Sequence, residues 1–212
     1  DWHLGSRLHE QDRLEEHGRF LDWLVDLMRD ERPDALLVCG DVFDTYTPSN
    51  AATEMYYSFL AEVFRDKLCR KVVITGGNHD SPSLLESPKS ALKHLDAHVF
   101  GQAGNDVGKE VVIVPANDGS AGLAIAAVPF MRDSDLRNFS DIPLDEEAGA
   151  ARILSDGFRS HYAAVAEAAR ALAPQAPLVV MGHCSIEKAR VSDDKSERSR
   201  VIGGVGAFPA DL

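Results

Sequence analysis

A layered α/β domain is the fold class this sequence predicts. Short, continuous apolar runs alternate with longer stretches of helical period, the runs end on polar loops led by glycine, and proline marks several of the junctions. Its 212 residues, 44% of them apolar, supply one ordinary core without an unusual staple. No internal repeat or low-complexity linker divides the chain, so residues 1–212 read as one domain.

The first helix is expected from about Gln11 to Arg29, because Leu14, Leu21, Leu24, Val25 and Met28 share one face; Pro33 then ends it. Ala35–Cys39 is a short apolar run suited to a buried strand, and it delivers Gly40-Asp41 to the loop beyond, where α/β folds bind ligands. A second helix follows from Ser49 to Asp66, with Met55, Phe59, Leu60 and Val63 apolar. Val72–Thr75 repeats the strand pattern and runs into Gly76-Gly77-Asn78-His79-Asp80. Ser81-Pro82 pairs an N-cap with proline at the first helical position, opening a helix expected to reach Leu95.

Val111–Val114 and Leu123–Val128 flank the turn sequence Asn117-Asp118-Gly119-Ser120, which predicts an antiparallel hairpin. Leu136 to Glu147 reads as irregular and polar. An alanine-rich helix is expected over Ala150–Leu172, then Pro174 and Pro177 lead into a strand at Leu178–Met181 that ends on Gly182-His183.

Composition narrows the function. No run approaches the ~20 apolar residues of a membrane helix, and no signal-peptide pattern opens the chain, so a cytoplasmic address without a membrane is expected. Cys39, Cys69 and Cys184 are an odd, widely spaced set without a C-x-x-C pair, read as reduced and structural. A net charge of -12 argues against a broad electrostatic grip on nucleic acid. A nucleic-acid substrate would need bound cations or local basic patches to offset that field.

The chemistry-bearing residues gather at strand ends. On an extended segment Asp1 and His3 project to the same side and can share one metal ion, although an Asp-x-His alone also suits a solvated surface. Asp41 puts a carboxylate at a sheet edge, where helix capping is the competing role. Asn78, His79 and Asp80 place an amide, an imidazole and a carboxylate in one turn; this is the most specific element. His183 adds a fourth strand-end group, weak when taken alone.

Together, D-x-H, G-D, G-N-H-D and G-H in this order resemble the calcineurin-like metallophosphoesterase superfamily. Within it, Asp1-Trp2-His3-Leu4-Gly5, Gly40-Asp41-Val42-Phe43-Asp44, Gly77-Asn78-His79-Asp80-Ser81-Pro82, Val128-Pro129-Phe130 and the segment Gly204–Ala210 most resemble the SbcD family, nuclease subunits of bacterial SbcCD complexes. Trp2, Asp44 and the stretch Gly203–Leu212 are not needed for phosphoester chemistry in general, which is why they favour that family.

The resemblance implies two central mixed β-sheets flanked by helices. It implies two divalent ions, Mn²⁺ by family habit, with Asp1 and His3 on one, Asp41 bridging, and Asn78 and His183 on the other. His79 would protonate the leaving oxygen, with Asp80 orienting its ring. Such an ion pair generates the nucleophile at neutral pH and clamps the phosphate oxygens. The implied activity is exonuclease and endonuclease cleavage of DNA ends and hairpins in repair or recombination, with an SbcC-like ATPase. A homodimer would pair Met55, Tyr56, Phe59 and Leu60 with Leu84, Leu85 and Leu92, residues that packing on a sheet explains equally well. The family pattern also carries a strand before Asp1 and a G-H-x-H segment beyond Leu212, so the implied ligand set is only partly within these residues. A phosphatase or small-molecule phosphodiesterase of the same superfamily is the enzymatic alternative, and a non-catalytic scaffold subunit is the other.

Overall fold

Two three-stranded sheets face each other, with helices on their outer sides, in a computed structural model that describes residues 1–93, 95–143 and 149–185. The Gly203–Leu212 stretch lies outside the described residues. The strands are β1 (Arg7–Leu8), β2 (Gln11–Asp12), β3 (Ala35–Cys39), β4 (Lys71–Thr75), β5 (Ala97–Phe100), β6 (Val111–Pro115), β7 (Ala121–Ala127) and β8 (Leu178–Met181). The helices are α1 (Leu14–Glu31), α2 (Asn50–Arg65), α3 (Pro82–Glu86), α4 (Lys89–Lys93), α5 (Asp133–Phe139) and α6 (Ala150–Leu172).

One sheet, β3-β4-β5, is parallel; the other is mixed, with β6 antiparallel and β8 parallel to β7. Strand alternation sorts the side chains. Val72 and Ile74 of β4 face α1 and α2, whereas Val73 joins Val112, Ile125 and Met181 between the sheets. In β7, Ala124 and Ala126 face α6 while Ile125 and Ala127 face inward. Each of Val72, Val73 and Ile74 is essentially sealed from solvent, a burial that stabilises by about 1.5–3 kcal/mol per side chain.

Several expected elements differ. Helix α1 starts at Leu14, not Gln11, because Gln11–Asp12 pair with Arg7–Leu8 and the Asp12 carboxylate accepts from the Leu14 N–H at 2.7 Å. The helix opened by Ser81-Pro82 stops at Glu86 and restarts at Lys89, since Pro88 has no N–H to continue the ladder. Its cap is as expected: Ser81 Oγ accepts from the Leu84 N–H. Ala97–Phe100 forms a third strand of the parallel sheet, one that no apolar pattern marks. Helix α5 runs over Asp133–Phe139, so Leu136–Phe139 is helical where the stretch from Leu136 was expected to be irregular, and the Asp135 carboxylate accepts from the Arg132 N–H at 2.9 Å to close its first turn. The residues expected to face a second copy are mostly core: Tyr56, Phe59, Leu60, Leu85 and Leu92 are buried, and only Met55 and Leu84 are partly so.

Helices α5 and α6 cross so closely that a Cβ on Gly157 would run into the Leu136 carbonyl oxygen. Gly157→Ala is expected to destabilise the protein by about 1–3 kcal/mol, the usual cost of overpacking, measured as a lower midpoint in urea unfolding. Beside this contact Glu110 and His161, both buried, meet at 2.9 Å, and Phe139 stacks on the imidazole at 4.1 Å. The three cysteines are free, and among the described residues no helix is long and apolar enough to cross a membrane.

The C-terminal ends of both sheets are stitched by backbone hydrogen bonds. Gly40 N–H donates to Thr75 O, Gly76 N–H to Phe100 O, and Val128 N–H to Met181 O. Phe130 N–H donates to Gly76 O at 2.8 Å, tying one sheet to the other. This seam brings four loops from distant parts of the chain to one place.

Candidate metal centre

The segment 1–5 is held along the loop after β3. Trp2 and His3 N–H groups both donate to Asp41 O, Leu4 N–H donates to Val42 O, and Asp44 N–H returns to Leu4 O at 3.2 Å. His3 does not continue an extended strand, contrary to expectation: its φ is +47°, and Asp41 is also left-handed at +45°. The Asp1 and His3 side chains meet different neighbours. His3 reaches Asp41, whereas the Asp1 carboxylate lies 3.4 Å from His183 Nδ1.

Asp41 is the centre of the cluster. Its Oδ2 lies 3.6 Å from His3 Nε2, 4.0 Å from His79 Nε2 and 3.5 Å from His183 Nε2. Its Oδ1 accepts from the His79 backbone N–H at 2.9 Å. Asn78 Oδ1 lies 2.9 Å from His183 Nε2, which joins the ends of β4 and β8. Four of the five expected ligands, His3, Asp41, Asn78 and His183, thus meet around Asp41, whereas Asp1 lies against the Nδ1 side of His183 instead of beside His3. The ligand atoms of His3, Asp41 and His79 lie within 4.8 Å of one another.

The donor chemistry fits divalent cations. His183 Nδ1 is 3.0 Å from Cys39 O, a carbonyl that can only accept, so Nδ1 carries hydrogen and a neutral ring turns the Nε2 lone pair toward Asn78 Oδ1 and Asp41 Oδ2. Burial lowers the His3 pKa against the opposing pull of Asp41, which favours the neutral form of the ring. Lone pairs of two imidazoles, an amide and a carboxylate facing one another at 2.9–3.6 Å are what a shared cation relieves.

The orienting partner of His79 is not the one expected. Its Nδ1 donates to the Asp44 backbone carbonyl at 2.7 Å, while the Asp80 carboxylate accepts from the N–H groups of Val42 (3.1 Å), Phe43 (2.9 Å) and Gly77 (2.8 Å). Asp80 binds loop to loop, and burial pushes its carboxyl up from the ordinary value while those three donors pull it down. Asp44 was missed because a backbone carbonyl leaves no mark on side-chain type.

Gly40 serves His183. Its φ is +81°, and a Cβ there would overlap the imidazole. Gly40→Ala is expected to displace His183 and to weaken divalent-ion binding by at least the ~10–100-fold that loss of a ligand's support costs, as read by isothermal titration calorimetry.

A profile of calcineurin-like phosphoesterases matches residues 1–203. The chain is similar to the SbcD subunit of the SbcCD nuclease from Rhodobacter capsulatus, at 34% identity over 217 residues that cover 100% of this chain and 53% of that protein. For the corresponding SbcD protein of Escherichia coli K12 the identity is 33%, over 99% of this chain and 50% of that protein. For that of Bacillus subtilis it is 29%, over 69% and 36%. The chain therefore spans about half the length of the first two relatives.

Proposed function

Because the chain belongs to the calcineurin-like phosphoesterase family, we propose that it is the metal-binding part of an SbcD-type nuclease subunit that hydrolyses phosphodiester bonds at DNA ends and hairpins. The observation that carries this reading is the ring of three imidazole nitrogens around one buried carboxylate oxygen, at 3.5–4.0 Å, in a chain so similar to SbcD nuclease subunits. Asp1, His3 and Asp41 would hold one ion and Asp41, Asn78 and His183 the second, with Mn²⁺ as the proposed metal. When bound, such ions supply a nucleophile at neutral pH and positive charge against the phosphate. That charge also offsets the protein's own net -12 near a polyanionic substrate.

The chain's own residues do the rest. With Nδ1–H on the Asp44 carbonyl, a protonated His79 presents Nε2–H to the leaving oxygen, transfers that proton as the P–O bond breaks, and is left neutral. Asp80 holds the loops that carry His79 and Asp41 in register. The proposed setting is cytoplasmic, with an SbcC-like ATPase and a homodimer whose contacts would draw on Met55 and Leu84, the members of the expected face that stay partly exposed.

The test is cleavage of linear and hairpin DNA by the full-length protein, with Mn²⁺, in the presence and absence of the ATPase partner. Mn²⁺-dependent cutting of both substrates is expected. Hydrolysis confined to nucleotides or phosphoproteins would replace DNA with a smaller substrate, and metal binding without hydrolysis of any of them would make the chain a scaffold.

A further inference from the structure

His3 carries a polar atom without a partner. Its Nδ1 is buried and, among the described residues, makes no hydrogen bond, while its Nε2 faces Asp41. If Nε2 is to give a lone pair to a cation, the proton of the neutral ring must sit on Nδ1, and that N–H then needs an acceptor. The group in position is Asp44, whose Oδ1 lies 3.6 Å from His3 Nδ1. This gap is only slightly beyond hydrogen-bond range, and the Asp44 side chain is 37% exposed.

Asp44 also serves the second imidazole. Its carbonyl accepts from His79 Nδ1 at 2.7 Å, and the two rings pack edge to face at 5.1 Å. Asp44 is itself anchored through its N–H to Leu4 O, on the segment that carries His3. One residue thus touches the ring of a candidate ligand and the ring of the candidate acid, each at the nitrogen turned away from Asp41.

We infer that Asp44 is a positioning residue for both imidazoles, its carboxylate the outer-sphere acceptor of His3 Nδ1–H and its carbonyl that of His79 Nδ1–H. The inference rests on the metal-centre reading above. An outer-sphere carboxylate fixes the tautomer of a ligating histidine and raises its basicity, and losing one typically weakens metal binding by about 10–100-fold. The backbone contact to His79 does not depend on side-chain type; the carboxylate contact does. The carboxylate half of the assignment can therefore be tested alone.

The experiment compares Asp44→Ala and Asp44→Asn with the unaltered full-length protein, without DNA. Free Mn²⁺ is followed by electron paramagnetic resonance during titration, and thermal melting in EDTA checks the fold. The alanine variant is expected to bind at least one ion about 10–100-fold more weakly, with melting in EDTA unchanged. The asparagine variant, whose amide oxygen still accepts from Nδ1–H, is expected to recover most of the affinity. Wild-type affinity in Asp44→Ala overturns the proposal, and so does an equal loss in both variants, which would be an effect of charge. Should the alanine protein fail to fold, ¹⁵N-detected tautomer analysis of His3 with Mg²⁺ bound decides: hydrogen on Nδ1 in the unaltered protein and in Asp44→Asn supports it, hydrogen on Nε2 refutes it. Because no substrate is present, Asp44-dependent binding in a protein that cuts no DNA would leave this inference standing while removing the nuclease reading.

Discussion

Replacing His79 with serine should lower Mn²⁺-dependent DNA cleavage by about 10²–10⁴-fold, the usual contribution of a positioned general acid, while leaving ion affinity unchanged. Geometry supports the split between the two effects. The His79 ring is held at Nδ1 by Asp44 O, and its Nε2 is the farthest of the three imidazole nitrogens from Asp41 Oδ2, at 4.0 Å against 3.5 and 3.6 Å. Serine removes the ring without disturbing the His79 backbone N–H that donates to Asp41 Oδ1. Cleavage rate and ion titration must be measured on the same preparation. A fall in affinity that matches the fall in rate would instead make His79 a ligand, an arrangement its proximity to His3 and Asp41 allows.

Asp80→Ala should act on stability before it acts on rate. The carboxylate is 1% exposed and accepts from three backbone N–H groups on two loops. Alanine strands all three donors, and an unsatisfied buried donor costs about 1–3 kcal/mol. The sum is a large fraction of the ~5–15 kcal/mol that holds a typical domain folded. Chemical denaturation should show a loss of several kcal/mol, with the protein accumulating poorly in cells. Asp80→Asn keeps one acceptor oxygen, yet its amide hydrogens must face at least one of the same N–H groups, so it should fall between alanine and the native protein. A stable, inactive Asp80→Ala would return this residue to the role of orienting His79.

Much of the fold is written locally. Ala35–Cys39 is observed residue for residue, because a continuous apolar run between Pro33 and Gly40 has few alternatives to a buried strand. Ser49 caps α2 by accepting from the Ala52 N–H, and the alanine-rich helix spans Ala150–Leu172 as its pattern dictates. What escaped was tertiary in origin. Strand β5 is four residues long, contains His98, and is specified by its pairing with β4 rather than by alternation. Helix α5 depends on Asp135 closing its own first turn and on the close approach of Leu136 to Gly157 of α6.

The candidate site shows the same division. Residue types at strand ends, joined by the family resemblance, pointed to Asp1, His3, Asp41, Asn78, His79, Asp80 and His183 as candidates for one site. Which atom meets which did not follow, because it depends on left-handed backbone at His3 and Asp41 and on the approach of His183 to Cys39 across the sheet seam. Asp44 shows the limit most clearly, since its main-chain carbonyl does work that any residue type could supply.

Order of synthesis gives the seam between the two sheets a temporal meaning. Every candidate ligand except His183 lies within the first eighty residues, on or beside the parallel sheet, whereas His183 follows β8 roughly a hundred residues later. At ~5–20 residues per second the ribosome takes on the order of 5–20 s to cover that interval. A nascent chain would therefore expose the ligands of one ion well before the other ion's set is complete, so loading is expected to be sequential, in a direction set by the gene. Arrested chains released after about residue 130 should retain fewer ions in equilibrium dialysis than the full-length protein; equal stoichiometry at both lengths would remove the ordering.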